Sequence, residues 1–251
     1  MGVDLIFWKA ARLAALTAED GWLNLTDRVL LAQGPQTVGT APDNDVVISV
    51  GPARLGLLTL TGTTGVFLAD DVVTQPFIAK PDTPPQLRAR SLLLELHSDA
   101  GDTALRVRDL TRARGVDLTY FPPDPAWIIR AQWQVLAMPL SQMIDQKGGA
   151  PTKVAVSHTA RFPHAGHDIT LLATHWKAGK PMFVIRDATS GHETYAASRF
   201  LLGEDASDSQ ITLDFNRAFT PPCAFSDFAI CPLPPRSNIL PFAVRAGEMW
   251  P

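Results

Sequence analysis

The sequence predicts a mostly β protein with an N-terminal helix, a small β sandwich and a second β-rich domain that is barrel-like or a sandwich. Short apolar runs recur about every 8 to 12 residues between Gly and Pro turn signals, which is typical of sandwiches and barrels. From Ile129 to Val135 apolar and polar residues alternate, which is the period of a half-buried strand. With 251 residues, 46% hydrophobic and 19% charged, the chain is long enough for two folded domains.

One amphipathic helix is predicted at residues 4–18. Asp4 is a favourable residue for capping its N-terminus, and Lys9 and Arg12 fall on its solvated side. Acidic residues near both ends oppose attachment to an anionic membrane surface, so we expect the helix to cover a sheet face or a sheet end. Its apolar side consists of Leu5, Trp8, Leu13 and Leu16.

Strands are predicted where β-rich runs lie between turn residues. In the first half of the chain they are Trp22–Leu25, Arg28–Ala32, Val46–Val50, Leu57–Leu60 and Val66–Ala69. In the second half they are Trp127–Val135, Ile169–His175, Met182–Arg186, Glu193–Arg199, Gln210–Phe215 and Phe242–Arg245.

These elements suggest an N-terminal helix at residues 1–20, a β sandwich at 21–113 and a β-rich domain at 114–251. Proline clusters at Pro81–Pro85 and Pro122–Pro125 flank the boundary between the two β domains. The polar segment Thr111–Gly115 lies between the clusters and suits a domain junction.

A short pattern in the first domain resembles the opening of a forkhead-associated domain, a β sandwich that binds phosphothreonine. It is carried by Val38–Thr40 and Asn44–Ile48. In that family an Arg follows the Gly, and a Ser and a His further on help to hold the phosphate. Here Thr40 and Gly56 stand near the first and last of these positions, and neither carries the charge that phosphate capture uses. We therefore expect a structural sandwich that does not bind phosphothreonine.

Composition argues against several classes of partner and cofactor. The 22 basic and 25 acidic residues give a net charge of -3 without a Lys/Arg run, so nucleic acid is not expected. Apolar stretches are far shorter than the roughly 20 residues of a membrane-spanning helix. Because the N-terminus lacks the basic region of a signal peptide, we expect a soluble, cytoplasmic, bacterial protein without a membrane partner. Walker and dinucleotide glycine motifs are absent, so no cofactor is expected.

The most distinctive part of the sequence is a proline-rich C-terminal block. It resembles a family of bacterial and archaeal proteins known as a domain of unknown function, although that family usually has Asn where Thr220 stands and Gly near Ala197. Upstream residues in Arg106–Asp109, Asp124–Trp127 and Asp187–Leu201 resemble the family as well. The resemblance implies no known reaction, cofactor or partner. The block consists of Leu213–Ala218, Pro221–Phe225, Cys231–Pro235, Asn238, Leu240–Pro241 and Ala246–Glu248.

Prolines in this block predict a rigid, irregular loop, because proline fixes φ and lacks a backbone donor. Cys223 and Cys231 lie within it and leave three interpretations open. They are buried thiols, a disulfide or redox pair, or a metal ligand or nucleophile. The cytoplasmic setting and the unsuitable spacing predict that both are reduced and metal-free.

His158, His164 and His167 crowd one segment. The turn residues of Pro163–Gly166 predict that these histidines lie in a surface loop and do not form a metal site. Ser190 lacks the flanking glycines of the hydrolase elbow, so we interpret it as a turn residue.

Strand parity predicts a ligand site in the block. Alternation places Thr212, Asp214 and Asn216 on one face, and Tyr195 and Arg199 share another. If both faces line one cavity, Arg199 can pair with Asp214, either beside a ligand or as a salt bridge that locks the loop. The predicted ligand-binding residues are Tyr195, Arg199, Asp214, Asn216, Asn238 and Glu248.

The function that these residues favour is small-molecule binding, with or without catalysis, in a pocket built from the C-terminal block. The alternative is a non-catalytic interaction or structural module. A concave apolar site with convergent polar groups supports the first, and an exposed apolar patch supports the second.

Overall fold

The computed structural model describes residues 2–69, 75–80, 83–99, 101–112 and 115–250. The predicted domain boundary is next to residues 113 and 114, and these two residues lie outside the described ranges, as does Pro81. The predicted fold class is confirmed, because an N-terminal helix is followed by sheets that are almost entirely antiparallel. Two compact units are formed: one is Arg12–Val116, and the other joins the chain from Asp117 onward to the start of the helix up to Ala11.

Helix α1 spans Gly2–Thr17, one or two residues from the predicted bounds. Leu5 and Leu16 are buried, whereas Ile6 and Phe7 are exposed. After the helix the chain turns sharply at Gly21, whose backbone N–H donates to Ala18 O at 2.8 Å. A Cβ at this position would lie 2.6 Å from Leu16 O, so only glycine fits the turn. Among the described residues, no helix is both long enough and apolar enough to cross a membrane.

In its described residues, the Arg12–Val116 unit is a sandwich of two five-stranded sheets. One sheet has the order β1-β10-β9-β8-β7, and the other has the order β3-β2-β4-β5-β6. Leu58 and Phe67 from one sheet and Leu94 and Leu105 from the other belong to one buried core, as expected for face-to-face packing. The strands are β1 Leu25–Leu30, β2 Gly34–Gly39, β3 Val46–Val47, β4 Gly56–Thr61, β5 Thr64–Ala69, β6 Gln75–Pro76, β7 Ile78–Lys80, β8 Thr83–Ala89, β9 Leu92–Asp99 and β10 Asp102–Asp109.

A buried charge cluster lies on paired strands of this sandwich. Glu95 on β9 accepts hydrogen bonds from Arg106 at 3.1 Å and Arg108 at 2.8 Å, and both arginines lie on β10. All three side chains are at most 6% exposed. Burial raises the pKa of Glu95, but the charge of Arg108 and hydrogen bonds from Gln86 and Arg106 outweigh it and hold that pKa below its ordinary value.

The unit that begins at Asp117 is built on one eight-stranded sheet. Its order is β13-β12-β11-β17-β16-β15-β14, with β18 added to the far part of β11. Within the described residues β13 and β14 are not paired, so the sheet is open and not closed into a barrel. The strands are β11 Ile128–Lys147, β12 Gly149–His164, β13 His167–Leu172, β14 His175–Lys177, β15 Lys180–Ile185, β16 Arg199–Glu204, β17 Gln210–Asp214 and β18 Cys231–Pro232.

Three strand predictions are wrong. Trp22–Asn24 forms a single 3-10 turn, Glu193–Arg199 is irregular until β16 begins at Arg199, and Phe242–Arg245 is not a strand. In the last two segments the backbone bonds elsewhere: Glu193 N–H donates to Thr189 O at 2.9 Å, and Val244 N–H donates to the Asp187 carboxylate at 3.1 Å. Local side-chain and turn partners therefore replace the sheet ladder.

The proline-rich block is irregular, as predicted. It contains isolated 3-10 turns at Pro222–Ala224 and Arg236–Asn238 and the two-residue strand β18. Leu240, Val244 and Ala246 insert into the core of the Asp117 unit beside Phe183 and Phe215. The block thus covers one side of the large sheet, and it also brings its polar residues to the places described next.

Candidate functional site

The predicted ligand-binding residues do not meet at one point. Asp214 and Asn216 line a cavity. Tyr195 lies with the two cysteines in a second cluster. The remaining three side chains are at most 1% exposed and are buried in hydrogen-bond networks; they are Arg199, Asn238 and Glu248. These residues therefore occupy three separate places in the Asp117 unit.

The cavity has a volume of ≈ 360 Å³, within the range of small-molecule sites. Alternation along β17 explains its polar wall, because Ile211 and Leu213 point into the core while Thr212 and Asp214 face the cavity. Its lining residues all belong to the Asp117 unit with the start of α1: Asp4, Leu5, Ile6, Lys9, Pro123, Ile128, Glu204, Thr212, Asp214, Asn216 and Arg217.

Arg217 is the central charge of the cavity wall. It donates to both oxygens of Glu204 at 2.9 and 3.0 Å, its Nε lies 3.2 Å from Asp214 Oδ2, and it also bonds Asp4. Lys180 contacts Glu204 at 3.4 Å without lining the cavity. Burial lowers the pKa of Arg217, but these carboxylates outweigh it and raise that pKa above its ordinary value. The guanidinium thus remains charged, and both of its terminal nitrogens donate to carboxylates.

Asn216 holds the cavity wall in place. β17 ends at Asp214, and a 3-10 turn over Phe215–Arg217 follows, capped by Asp214 Oδ1, which accepts from Asn216 N at 3.1 Å. The Asn216 side chain exchanges two 3.0 Å hydrogen bonds with the Asp124 backbone. Its amide oxygen and nitrogen are therefore already engaged, and Asn216 positions Asp214 and Arg217.

Arg199 does not pair with Asp214, contrary to the expectation from parity. Its guanidinium donates to Asp187 Oδ2 at 2.8 Å, and these side chains are 1% and 0% exposed. It also donates to the carbonyl of Val244 at 2.8 Å and to that of Ala246. Asp214 lies beside Arg217 instead. Arg199 thus fastens the C-terminal segment to the sheet in a fully buried ion pair.

Asn238 and Glu248 also satisfy backbone groups. Asn238 accepts from Leu172 N at 2.8 Å and donates to Leu172 O and Val184 O at 3.0 Å. Glu248 accepts from Thr220 N at 2.7 Å and from the Tyr120 hydroxyl at 3.5 Å. Buried polar side chains used in this way hold chain segments together.

Tyr195 belongs to a cluster with Lys147 and both cysteines. The Lys147 ammonium donates to the Tyr195 oxygen and, at 3.2 Å, to the carbonyl of Cys223. The Tyr195 hydroxyl also donates to that carbonyl at 3.1 Å. Cys223 N–H donates to the Cys231 sulfur at 3.3 Å, and both thiols are free and buried. The pairing of β18 with β11 sets Cys231 opposite Lys147.

The two thiols are chemically unequal. The hydrogen bond from the Cys231 thiol lowers the pKa of Cys223, whereas burial raises it. A hydrogen bond to Tyr195 and the charge of Lys147 lower it further, and together these effects bring the pKa of Cys223 to about 7. The hydrogen bond to Cys223 and burial raise the pKa of Cys231. Cys223 is therefore the thiol that ionises first.

The three histidines lie in strands and not in a loop. His158 and His164 are in β12 and His167 begins β13, with the predicted turn at Ala165–Gly166 between them. His158 stacks on Trp133 with ring centroids 4.8 Å apart, and His164 packs 4.8 Å from Trp127. Within the described ranges, no group of three or more His, Cys, Asp or Glu residues is placed to hold a metal ion.

Sequence reasoning missed Arg217, Asp187 and Lys147. Arg217 could have been found, because it directly follows Asn216 in the distinctive block. Asp187 was noted only as part of an upstream segment. Lys147 carries no signal in the sequence, because only the pairing of β11 with β18 brings it to the cysteines.

Comparison with known proteins assigns the chain to a family but indicates no activity. The family described as "Protein of unknown function (DUF1684)" matches residues 116–249. A solution NMR structure of an uncharacterized protein from Haloarcula marismortui is 35% identical, covering 53% of this chain and 76% of that chain with a TM-score of 0.44. No curated protein matches. Because the family match covers more than half of the sequence, the chain belongs to the DUF1684 family of proteins of unknown function.

Proposed function

We propose that the Asp117 unit binds a small, apolar-bodied molecule that carries an amino group, in the cavity beside Arg217. The observation that carries this proposal is that Arg217, central to the cavity wall, lies among Asp4, Glu204 and Asp214. Carboxylates offer several acceptor sites each, and one guanidinium cannot fill them all. A ligand that donates hydrogen bonds therefore fits this wall.

The charge of the lining supports a cation over an anion. Three carboxylates and the two cations Lys9 and Arg217 give a net charge of -1. Both terminal nitrogens of Arg217 donate to carboxylates, and the ammonium of Lys9 lies over the Tyr120 ring, so an anionic ligand would have to displace one of these contacts. A buried anion without donors is unfavourable, whereas an ammonium beside Asp214 or Glu204 gains charge-assisted hydrogen bonds.

The apolar part of the lining supports an apolar ligand body. Leu5 and Ile6 of α1, together with Pro123 and Ile128, complete the cavity. Burying a methylene group contributes about 0.8 kcal/mol, so a chain of a few carbons adds useful affinity. A polar end and an apolar body are what most small-molecule sites recognise.

The test compares hexylamine, hexanol and hexanoate as probes in thermal unfolding and calorimetric titration. Hexylamine is expected to raise the melting temperature and to release measurable heat, and hexanoate is expected to do neither. Asp214→Asn should lose the response to hexylamine, because it removes a charge while its amide oxygen can still cap Asn216. Asp168→Asn is the matched control, since Asp168 is exposed and pairs with Arg161 away from the cavity. Equal responses of the wild type to hexylamine and hexanoate would contradict the proposal.

The alternative, a non-catalytic interaction module, is favoured by one observation. The long hairpin of β11 and β12 exposes Val135, Met138 and Met143, with 61%, 82% and 64% of their surfaces accessible. Light scattering across a concentration series tests self-association through this hairpin. A monomer at all concentrations, together with hexylamine binding, would favour the small-molecule function.

A further inference from the structure

The cluster of Lys147, Tyr195, Cys223 and Cys231 is distinct from the amine cavity, and none of its members lines that cavity. Three features set it apart from ordinary buried cysteines. The Cys231 thiol contacts Cys223, the Lys147 ammonium binds the Cys223 carbonyl, and the Tyr195 phenol contacts both that carbonyl and the ammonium. Buried structural cysteines usually lack such polar neighbours.

We propose that Cys223 is a reactive thiolate that a small hydroperoxide oxidises, and that Cys231 resolves the product to an intramolecular disulfide. This is a second site and does not depend on the amine cavity. Its substrate class is hydrogen peroxide or a small alkyl hydroperoxide.

The contacts assign the two roles. The Cys231 sulfur accepts the backbone N–H of Cys223 at 3.3 Å, and the interaction of the two thiols lowers the pKa of Cys223 and raises that of Cys231. Lys147, Tyr195 and Cys231 are the titratable groups around Cys223, and Asp227 is a further charge near Lys147. The ammonium, the phenol and the second thiol all favour the thiolate of Cys223. Cys231 has the raised pKa and remains protonated while Cys223 reacts.

Burial restricts which electrophiles reach the cluster. Cys223 is 3% exposed and Cys231 is 2% exposed, so bulky reagents are disfavoured and a peroxide is small enough. Lys147 also lines an open cavity of ≈ 330 Å³ with Asp145, Arg186 and Leu233. The Lys147 side chain therefore connects that cavity with the cysteines and marks the side from which a small oxidant arrives.

Oxidation of the cysteine pair proceeds in two steps. In the first, the Cys223 thiolate attacks the terminal oxygen of R–O–O–H; the S–O bond forms, the O–O bond breaks, and the alkoxide leaves and takes a proton from water. The product is the sulfenic acid of Cys223. In the second, the Cys231 sulfur attacks the Cys223 sulfur, the S–S bond forms, the S–O bond breaks, and water leaves with the proton of Cys231. An external dithiol returns both cysteines to thiols.

The direct test treats the folded protein with hydrogen peroxide and follows mass. The wild type should lose two hydrogens per chain and form a peptide pair that links Cys223 to Cys231. In Cys231→Ser the sulfenic acid should persist, so the mass should rise by one oxygen, and dimedone added together with denaturant should trap it on Cys223. An unchanged mass of the folded wild type, with both cysteines still alkylated after unfolding, would overturn the proposal.

A pH series separates a reactive thiolate from a packed thiol. The rate at which hydrogen peroxide oxidises Cys223 in the folded protein should rise with pH, with its midpoint near the value of about 7 that the cluster gives this thiol. Lys147→Met should move the midpoint upward and slow oxidation at neutral pH by about threefold to tenfold. Lys153→Met, at another exposed position of the long hairpin, should match the wild type. A midpoint at the ordinary value of 9.0, or no effect of Lys147→Met, would count against the assignment.

Discussion

The Arg199 guanidinium donates a 2.8 Å hydrogen bond to Asp187, and both side chains are shielded almost completely from solvent. Arg199 begins β16, and Asp187 lies just after β15. The same arginine binds the carbonyls of Val244 and Ala246, and the same aspartate accepts from Thr189 and Val244. This ion pair therefore holds the C-terminal segment against the sheet.

Breaking this pair should destabilise the protein strongly. Arg199→Ala and Asp187→Asn are each expected to cost about 3 to 5 kcal/mol of unfolding free energy, because each leaves a buried charge without its partner. Urea unfolding measures the loss. Arg245→Ala is the matched control, since its pair with Glu193 is exposed, and it should cost less than about 1 kcal/mol. A similarly small loss for Arg199→Ala would refute the structural role.

The buried Glu95 should make the sandwich sensitive to acid. Its pKa in the folded protein is lowered from the ordinary value of 4.5. Its stabilising contribution is therefore complete above about pH 4.5 and is lost as the pH falls through the lowered value. Glu95→Gln should cost about 3 to 5 kcal/mol at neutral pH, because Arg106 and Arg108 lose their shared partner.

Urea unfolding of the wild type and Glu95→Gln across a pH series checks this linkage. The difference between them should shrink only below about pH 4.5. Glu19→Gln serves as the control, because Glu19 pairs with Arg88 at the surface. A difference that grew toward acid pH would have the wrong sign for a carboxylate with a lowered pKa.

The sandwich should not bind phosphothreonine. A Cβ on Gly56 would lie 2.3 Å from Leu68 O, so a histidine cannot occupy that position without moving the backbone. Arg54, the nearby cation, is engaged by Asp43 and Asn44. Fluorescence anisotropy with a labelled phosphothreonine peptide and its unmodified form should give the same weak signal. Binding of the phosphorylated peptide with a micromolar Kd, and weaker binding of the unmodified peptide, would contradict this prediction.

Protein purified anaerobically should contain two free thiols and no zinc. Both cysteines are free in the structure. Lys147 binds the backbone carbonyl of Cys223, and its charge lowers the pKa of the Cys223 thiol, so the same positive charge disfavours a metal cation at this place. Thiol titration in denaturant and elemental analysis measure the two quantities. Zinc at one equivalent per chain, or no titratable thiol, would contradict the expectation.

Periodicity predicted the elements whose burial follows residue type. Helix α1 and the alternating start of β11 were found because their apolar residues face one side. By contrast, β8, β9 and β10 were missed. Leu92–Leu96 is buried on both strand faces and includes Glu95, and charged Arg106 and Arg108 are buried on β10. Ion pairs among these three side chains allow charged residues at core positions, and this hides the alternation of apolar and polar residues from which a strand is predicted.

The candidate site was predictable only in part. Parity correctly separated Asp214 from Leu213, and the distinctive block contains Asp214, Asn216, Arg217 and both cysteines. Strand parity does not predict the bonding partners of Arg199 and Lys147. Arg199 binds Asp187 on the far side of a turn, and Lys147 binds the Cys223 carbonyl because their segments are brought together by strand pairing. Such contacts depend on sheet register, which no local pattern in this sequence specifies.

Chemical-shift mapping of isotopically labelled protein with hexylamine tests the cavity proposal most directly. We expect the largest shifts at the backbone amides of residues 4–9 and 212–217, the two segments that supply most of the cavity lining, and we expect Asp214→Asn to abolish them while Asp168→Asn does not. Shifts centred on Asp145 and Lys147, which line the other cavity, or an absence of shifts in the wild type, would contradict the claim that the carboxylates around Arg217 bind an amine.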